Sequence, residues 1–145
     1  MKIKEVMTQD VALADPEMTI ADAARMMVRC DAGALPVGED ERLVGMITDR
    51  DIAVRAVAKD LPCDTPVRDV MSKEVLYCFQ DEDVEHVADN MGEQQVRRLP
   101  VLDREKRLVG IVSLGDLVLH SKPKTSGQAI AAISQPGGAH DQTLH

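Results

Sequence analysis

Apolar residues at Ile20, Ala23, Ala24 and Met27 follow the i, i+3, i+4, i+7 spacing of one helix face. Val84, Val87, Ala88 and Met91 repeat that spacing 64 positions later. Each stripe predicts a helix, with Thr19 and Asp83 as the N-caps. Ahead of each helix lies a short apolar run, Val11 to Leu13 and Val75 to Phe79, which reads as a strand. Behind each helix come two more strands, Ala34–Val37 with Leu43–Thr48, and Arg98–Leu102 with Leu108–Ser113. The polar stretches Gly38–Arg42 and Asp103–Arg107 join them as hairpins. Pro36 and Pro100 have no N–H to give a ladder, so each is expected at an edge or a strand start. A last helix runs from Asp49 to about Lys59, and from Leu114 to about His120.

The pattern is one unit written twice, which short motifs confirm. Val6-Met7-Thr8 recurs as Val70-Met71-Ser72, and Leu35-Pro36-Val37 as Leu99-Pro100-Val101, both 64 positions on. Arg42-Leu43-Val44-Gly45 recurs as Arg107-Leu108-Val109-Gly110, and Thr48-x-x-Asp51 as Ser113-x-x-Asp116, both 65 positions on. The second copy therefore gains one residue in its turn. Two copies predict an α+β chain of two β-α-β-β-α subdomains related by a pseudo-two-fold axis. The expected division is 1–59, a linker at 60–66 carrying Pro62 and Pro66, 67–121, and a tail at 122–145. Short leads, Ile3–Met7 and Val67–Met71, open the two copies. The tail has room for one short helix, around Gln128 to Ser134.

Composition narrows the function. Hydrophobic residues make up 44% of the 145, enough for a buried core. The only aromatics are Tyr77 and Phe79, so that core is aliphatic and offers little to stack on nucleobases. A formal net charge of −8 argues against a duplex-binding surface, so no nucleic-acid partner is expected. No apolar run approaches the ~20 residues of a membrane span, and the first residues lack a signal-peptide core. Cys30, Cys63 and Cys78 are odd in number and form no C-x-x-C, which fits a reducing cytoplasm. Cys30 and Cys78 read as buried small hydrophobes.

These residues resemble the cystathionine-β-synthase (CBS) domain, which occurs in tandem pairs. The resemblance rests on Val-Met-Thr/Ser at the start of each copy, on Leu-Pro-Val, and on two longer segments. Those are Val44-Gly45-Met46-Ile47-Thr48-Asp49-Arg50-Asp51 and Val109-Gly110-Ile111-Val112-Ser113-Leu114-Gly115-Asp116. It covers roughly residues 3–120 and is similar to small stand-alone bacterial CBS pairs. It implies a regulatory sensor that binds AMP, ADP, ATP, NAD or S-adenosylmethionine between the copies, dimerises, and signals to an effector protein that the sequence does not name.

The chemistry of the repeated motif agrees. Thr48 ends a strand and starts a helix, where unpaired N–H groups favour an anion and the hydroxyl adds a donor. Gly45 lacks a side chain and so admits a ligand or another backbone. Asp51 would repel a phosphate but suits a ribose diol. Thr-x-x-Asp is also close to a capping box, in which each side chain satisfies the other's backbone. The resemblance implies that each pocket draws on both copies. One then contains Thr48, Arg50, Asp51, the strand near Leu76, Arg97 and Arg98. The other contains Ser113, Gly115, Asp116, the strand near Ala12, Gly33 and Ala34. Arg50, Arg97 and Arg98 are replaced by Gly115, Gly33 and Ala34 in the second pocket, which makes the first the expected site for charged ligands.

Other functions fit less well. The histidines, His86, His120, His140 and His145, have no Ser or Cys nucleophile near them in sequence, so no enzyme and no catalytic cofactor are expected. The Cys and His spacings match no metal motif. A ligand-free dimerisation scaffold is the alternative, and Met26, Met27, Met46 and Met91 would suit an adaptable interface.

Overall fold

A computed structural model describes residues 1–135. The expected Gly- and Pro-rich end of the tail, with His140 and His145, lies outside the described residues.

Helix α1 spans Ile20–Cys30 and buries Ile20, Ala23 and Met27. The Thr19 hydroxyl accepts from the Asp22 amide at 3.1 Å, the expected cap. The helix ends at Asp31, which is left-handed at φ 49° and donates back to Met27 and Val28. Cys30, past the last buried turn, is exposed and not buried as expected. Strands β1 (Ala34–Glu39) and β2 (Arg42–Thr48) form an antiparallel hairpin with Leu35 opposite Ile47. Asp40 and Glu41 turn it with φ 53° and 65°, the two positive values a tight hairpin turn requires. The next segment is helical but irregular. One α-turn, α2 (Asp49–Asp51), runs into a π-turn over Ile52–Ala56 and a 3₁₀ turn over Val57–Lys59.

The second repeat supplies β3 (Cys78–Phe79), α3 (Val84–Gln94), β4 (Arg98–Leu102), β5 (Leu108–Ser113) and α4 (Leu114–His120). Its sheet has the order β3-β4-β5. Asp83 occupies the cap position of α3 but makes no side-chain cap, because its carboxylate pairs with Lys2 at 3.1 Å. The tail helix α5 spans Pro123–Ile133, starting earlier than Gln128 because Pro123 suits the first helical position. The Glu85 carboxylate also accepts the Lys122 amide at 2.8 Å.

The first strand of each repeat is shorter than its apolar run. Around Ala14 there is a single parallel bridge to Val37, and β3 has two residues. Ala14 donates to Pro36 and accepts from Gly38, both at 2.9 Å. The preceding rung would need an N–H from Pro36, which has none. Pro100 stands at the same place in the second repeat. Ala12 and Leu76 are therefore cut out of their ladders, and Val11–Leu13 forms no strand.

Two compact units result. One comprises Val11–Val75 with Lys106–Leu108; the other comprises Met1–Asp10, Leu76–Glu105 and the described residues from Val109. The leads are thus exchanged between repeats. Met46 on β2 forms paired hydrogen bonds with Ser72 at 3.0 and 2.9 Å, and Ile111 on β5 does so with Thr8 at 3.0 and 2.9 Å. Gly45 and Gly110 permit this approach: a Cβ there would lie 2.8 and 2.7 Å from the carbonyl oxygens of Ser72 and Thr8. Each unit has its own aliphatic core. Ile20, Leu35, Val37, Ile47, Val67 and Val70 pack in the first, and Ile3, Val87, Met91, Leu99, Val101, Val112 and Leu117 in the second.

Candidate functional site

Each unit contains one strand-to-helix junction built on the same plan. At the end of β2, the Thr48 hydroxyl accepts from the Asp51 amide, and Asp51 Oδ2 accepts from the Thr48 amide, both at 3.0 Å. At the end of β5, the Ser113 hydroxyl accepts from the Asp116 amide at 3.2 Å, and Asp116 Oδ2 accepts from the Ser113 amide at 2.9 Å. Both are closed capping boxes. They hold hydroxyl, carboxylate and the first helical amides within one turn. Thr48 pairs with Ala34 across the β1–β2 hairpin and Ser113 is the last residue of β5, so each box presents these groups from a strand end.

The residues before Leu-Pro-Val lie beside these junctions within each unit. The Asp49 amide donates to Gly33 O at 2.9 Å, and Ala34 pairs with Thr48 across β1 and β2. A Cβ at Gly33 would meet Asp49 Oδ2 at 2.9 Å, so the Asp49 carboxylate fills that space. In the other unit the Leu114 amide donates to Arg97 O at 2.8 Å. Arg97 and Arg98, both exposed, therefore stand beside the Ser113 junction within their own unit. Arg50 belongs to the unit of Thr48 and Asp51, as do Ala12, Gly33 and Ala34. Leu76, Arg97 and Arg98 belong to the unit of Ser113 and Asp116.

The surroundings of the two junctions differ in charge. Thr48 has two carboxylates in its turn, Asp49 and Asp51, with Arg50 and Arg55. Ser113 has one, Asp116, with Arg97 and Arg98. Sequence reasoning missed Arg55 and Asp49. Arg55 Nε lies 3.7 Å from Asp51 Oδ1, one helical turn on, a spacing that could have flagged it.

Catalytic chemistry finds little to work with among the described residues. Burial, aided by the charge of Glu82, pushes the Cys78 thiol up to about 12. A thiol so raised is not a nucleophile at neutral pH. The His86 ring is exposed and faces Glu82 and Asn90. Among the described residues no three His, Cys, Asp or Glu side chains cluster as metal ligands, and no helix is long and apolar enough to cross a membrane.

Comparison with known proteins agrees with the repeat. The CBS domain model matches twice, at residues 3–57 and 67–122. The CBS domain-containing protein YhcV of Bacillus subtilis is 42% identical over 133 residues, covering 91% of this chain and 94% of its own length. Among solved structures, the CBS domain pair of protein MJ0100 in complex with 5′-methylthioadenosine and S-adenosyl-L-methionine superposes with a TM-score of 0.72. It is 29% identical and covers 82% of this chain and 94% of that one. CBSX2 in complex with AMP superposes with a TM-score of 0.71 at 26% identity, over 81% of this chain and 93% of that one.

Proposed function

Because the chain belongs to the CBS domain family, we propose that it is a regulatory sensor of adenosine nucleotides, AMP, ADP, ATP or NAD, and not an enzyme. The observation that carries this reading is the matched pair of junctions, Thr48 to Asp51 and Ser113 to Asp116. The relatives solved with AMP, and with methylthioadenosine and S-adenosylmethionine, support an adenosine ligand. In this reading the hydroxyl and helix-start amides take phosphate, and the carboxylate accepts from the ribose diol. Ala12, Gly33 and Ala34 share the unit of the first junction, and Leu76, Arg97 and Arg98 that of the second. The lone carboxylate and two arginines of the Ser113 junction favour the more phosphorylated ligand there. The second carboxylate at Thr48 favours a less charged one. The bound ligand selects one conformation of the chain and shifts its population. The chain acts as a cytoplasmic homodimer and passes the signal to an effector protein.

A thermal-shift series with AMP, ADP, ATP and NAD tests this. A ligand at 100 times its Kd adds about 2.7 kcal/mol of stability. At least one of the four is expected to raise the melting temperature. One observation favours the second reading, a ligand-free scaffold: both capping boxes are already satisfied by their own side chains. No shift with any of the four compounds would support the scaffold and end the sensor reading.

A further inference from the structure

Arg55 is a feature of the first junction with no arginine counterpart in the second. Its guanidinium faces two ways. Nε lies 3.7 Å from Asp51 Oδ1, while Nη1 donates to the carbonyls of Val70 and Met71 at 3.3 and 3.4 Å. The Asp51 side chain is only 14% exposed and that of Arg55 48%. Val70 is fully buried, and Met71 is the residue whose Sδ sits against Gly45. Ser72 follows at once, bonded to Met46. This lead is the last stretch of the unit before the chain leaves it at Val75.

The backbone at Arg55 is also irregular. It lies in the π-turn Ile52–Ala56, anchored by the fully buried Ala56. Single π-turns inside helices are frequent at functional positions. The second repeat has a regular helix here, α4, and the residue 65 positions after Arg55 is His120. No ion pair forms to Asp116 among the described residues.

We infer that Arg55 is a positioning residue that ties the Asp51 carboxylate to the Val70–Met71 lead, so that a ribose engaging Asp51 tightens the segment through which the chain leaves this unit. The inference rests on the nucleotide reading above. Asp51 Oδ2 is spent on the Thr48 amide, and Oδ1, 3.7 Å from Arg55 Nε, keeps acceptor capacity for a further donor. A planar guanidinium can serve a carboxylate and two carbonyls at once. The compact lysine ammonium lacks that fixed, spread fork of donors, so lysine is not an equivalent replacement.

The test uses Arg55→Ala and Arg55→Lys in the full chain, with calorimetry and amide exchange. In Arg55→Ala, AMP is expected to bind about tenfold more weakly, the scale of one charge-assisted contact. The affinity for 2′,3′-dideoxy-AMP, which lacks the diol, should not change. AMP should slow amide exchange at Val70, Met71 and Ser72 in the wild type and not in the variant. Arg55→Lys, which keeps the charge and guards against misfolding of the alanine variant, should lose the exchange response while retaining part of the affinity. Equal weakening of both nucleotides, or no weakening, would overturn the inference, as would exchange at 70–72 that ignores AMP in the wild type. Absence of AMP binding to the wild type would overturn the nucleotide reading and the ribose link with it. Faster ligand-free exchange at Ser72 in Arg55→Ala would then still register the clamp by itself.

Discussion

Replacing Gly110 with alanine should detach the first lead from β5. The new methyl would lie 2.7 Å from both Met7 Sδ and Thr8 O. The thioether can swing away, but the carbonyl is fixed by the paired Thr8–Ile111 hydrogen bonds. The lead must retreat. If only this bridge opens, two backbone hydrogen bonds are lost, about 2 kcal/mol at about 1 each. If Met1–Asp10 lifts as a whole, Ile3, fully buried, loses its burial as well, a further ~1.5–3 kcal/mol. The expected loss is roughly 2–5 kcal/mol, a large share of a typical total of ~5–15. Urea unfolding measures it, and amide exchange at Thr8 and Ile111 locates it. Gly127→Ala is the control. Nothing lies within 4 Å of that position, and alanine favours a helix over glycine by about 1 kcal/mol, so the substitution should be neutral or stabilising. A Gly110→Ala protein within ~0.5 kcal/mol of wild type, with Thr8 exchange unchanged, would refute the exchanged-lead packing.

Three further outcomes are expected. Iodoacetamide at pH 8 should modify Cys30 and Cys63 in the folded protein and spare Cys78, whose thiol is buried and pushed up to about 12; intact mass shows two adducts against three after denaturation. Thr19→Ala should cost about 1 kcal/mol in urea unfolding, because it removes the cap on Asp22, whereas Asp83→Ala removes no cap and should cost α3 less. The hydrogen-bonded Arg104 guanidinium holds the Asp81 carboxyl below its usual value of 3.8. A folded-state pKa below the unfolded one means stability that is present above about pH 4 and fades as pH falls through the folded value. The gap in urea midpoint between wild type and Asp81→Asn should therefore be present at pH 6 and shrink below pH 4; a gap that widens on acidification contradicts the sign.

Much of the fold was legible because the signals were local. The Ile20–Met27 stripe, the Thr19 cap and the β1–β2 hairpin each depend on neighbours within a few residues. The Thr48/Asp51 and Ser113/Asp116 boxes are local too, so the candidate junctions could be read directly. What failed depended on distant partners. Asp83 has the right type for a cap, but Lys2, far off in sequence, takes its carboxylate. Val11–Leu13 has a strand's composition, but Pro36 on the neighbouring strand β1 denies it a donor. Gly45 suggested the approach of a ligand or a backbone, and the backbone of Ser72 is what arrives. The exchange of leads has no signature in a repeat, since Val6-Met7-Thr8 and Val70-Met71-Ser72 are interchangeable as motifs. The place of Arg97 beside Ser113 within its own unit likewise has no signature in the sequence, and the Leu114–Arg97 hydrogen bond is what shows it.

Titration of AMP into the wild type, Asp51→Asn, Asp116→Asn and the double variant by calorimetry tests the nucleotide site most directly. Asparagine retains a capping acceptor for the Thr48 and Ser113 amides and removes the charge that a ribose diol would meet. Saturable binding to the wild type is expected, weakened about tenfold or more by at least one single substitution and lost in the double variant. A wild type that takes up no AMP, or four proteins with the same affinity, would contradict the assignment of these junctions as the nucleotide site.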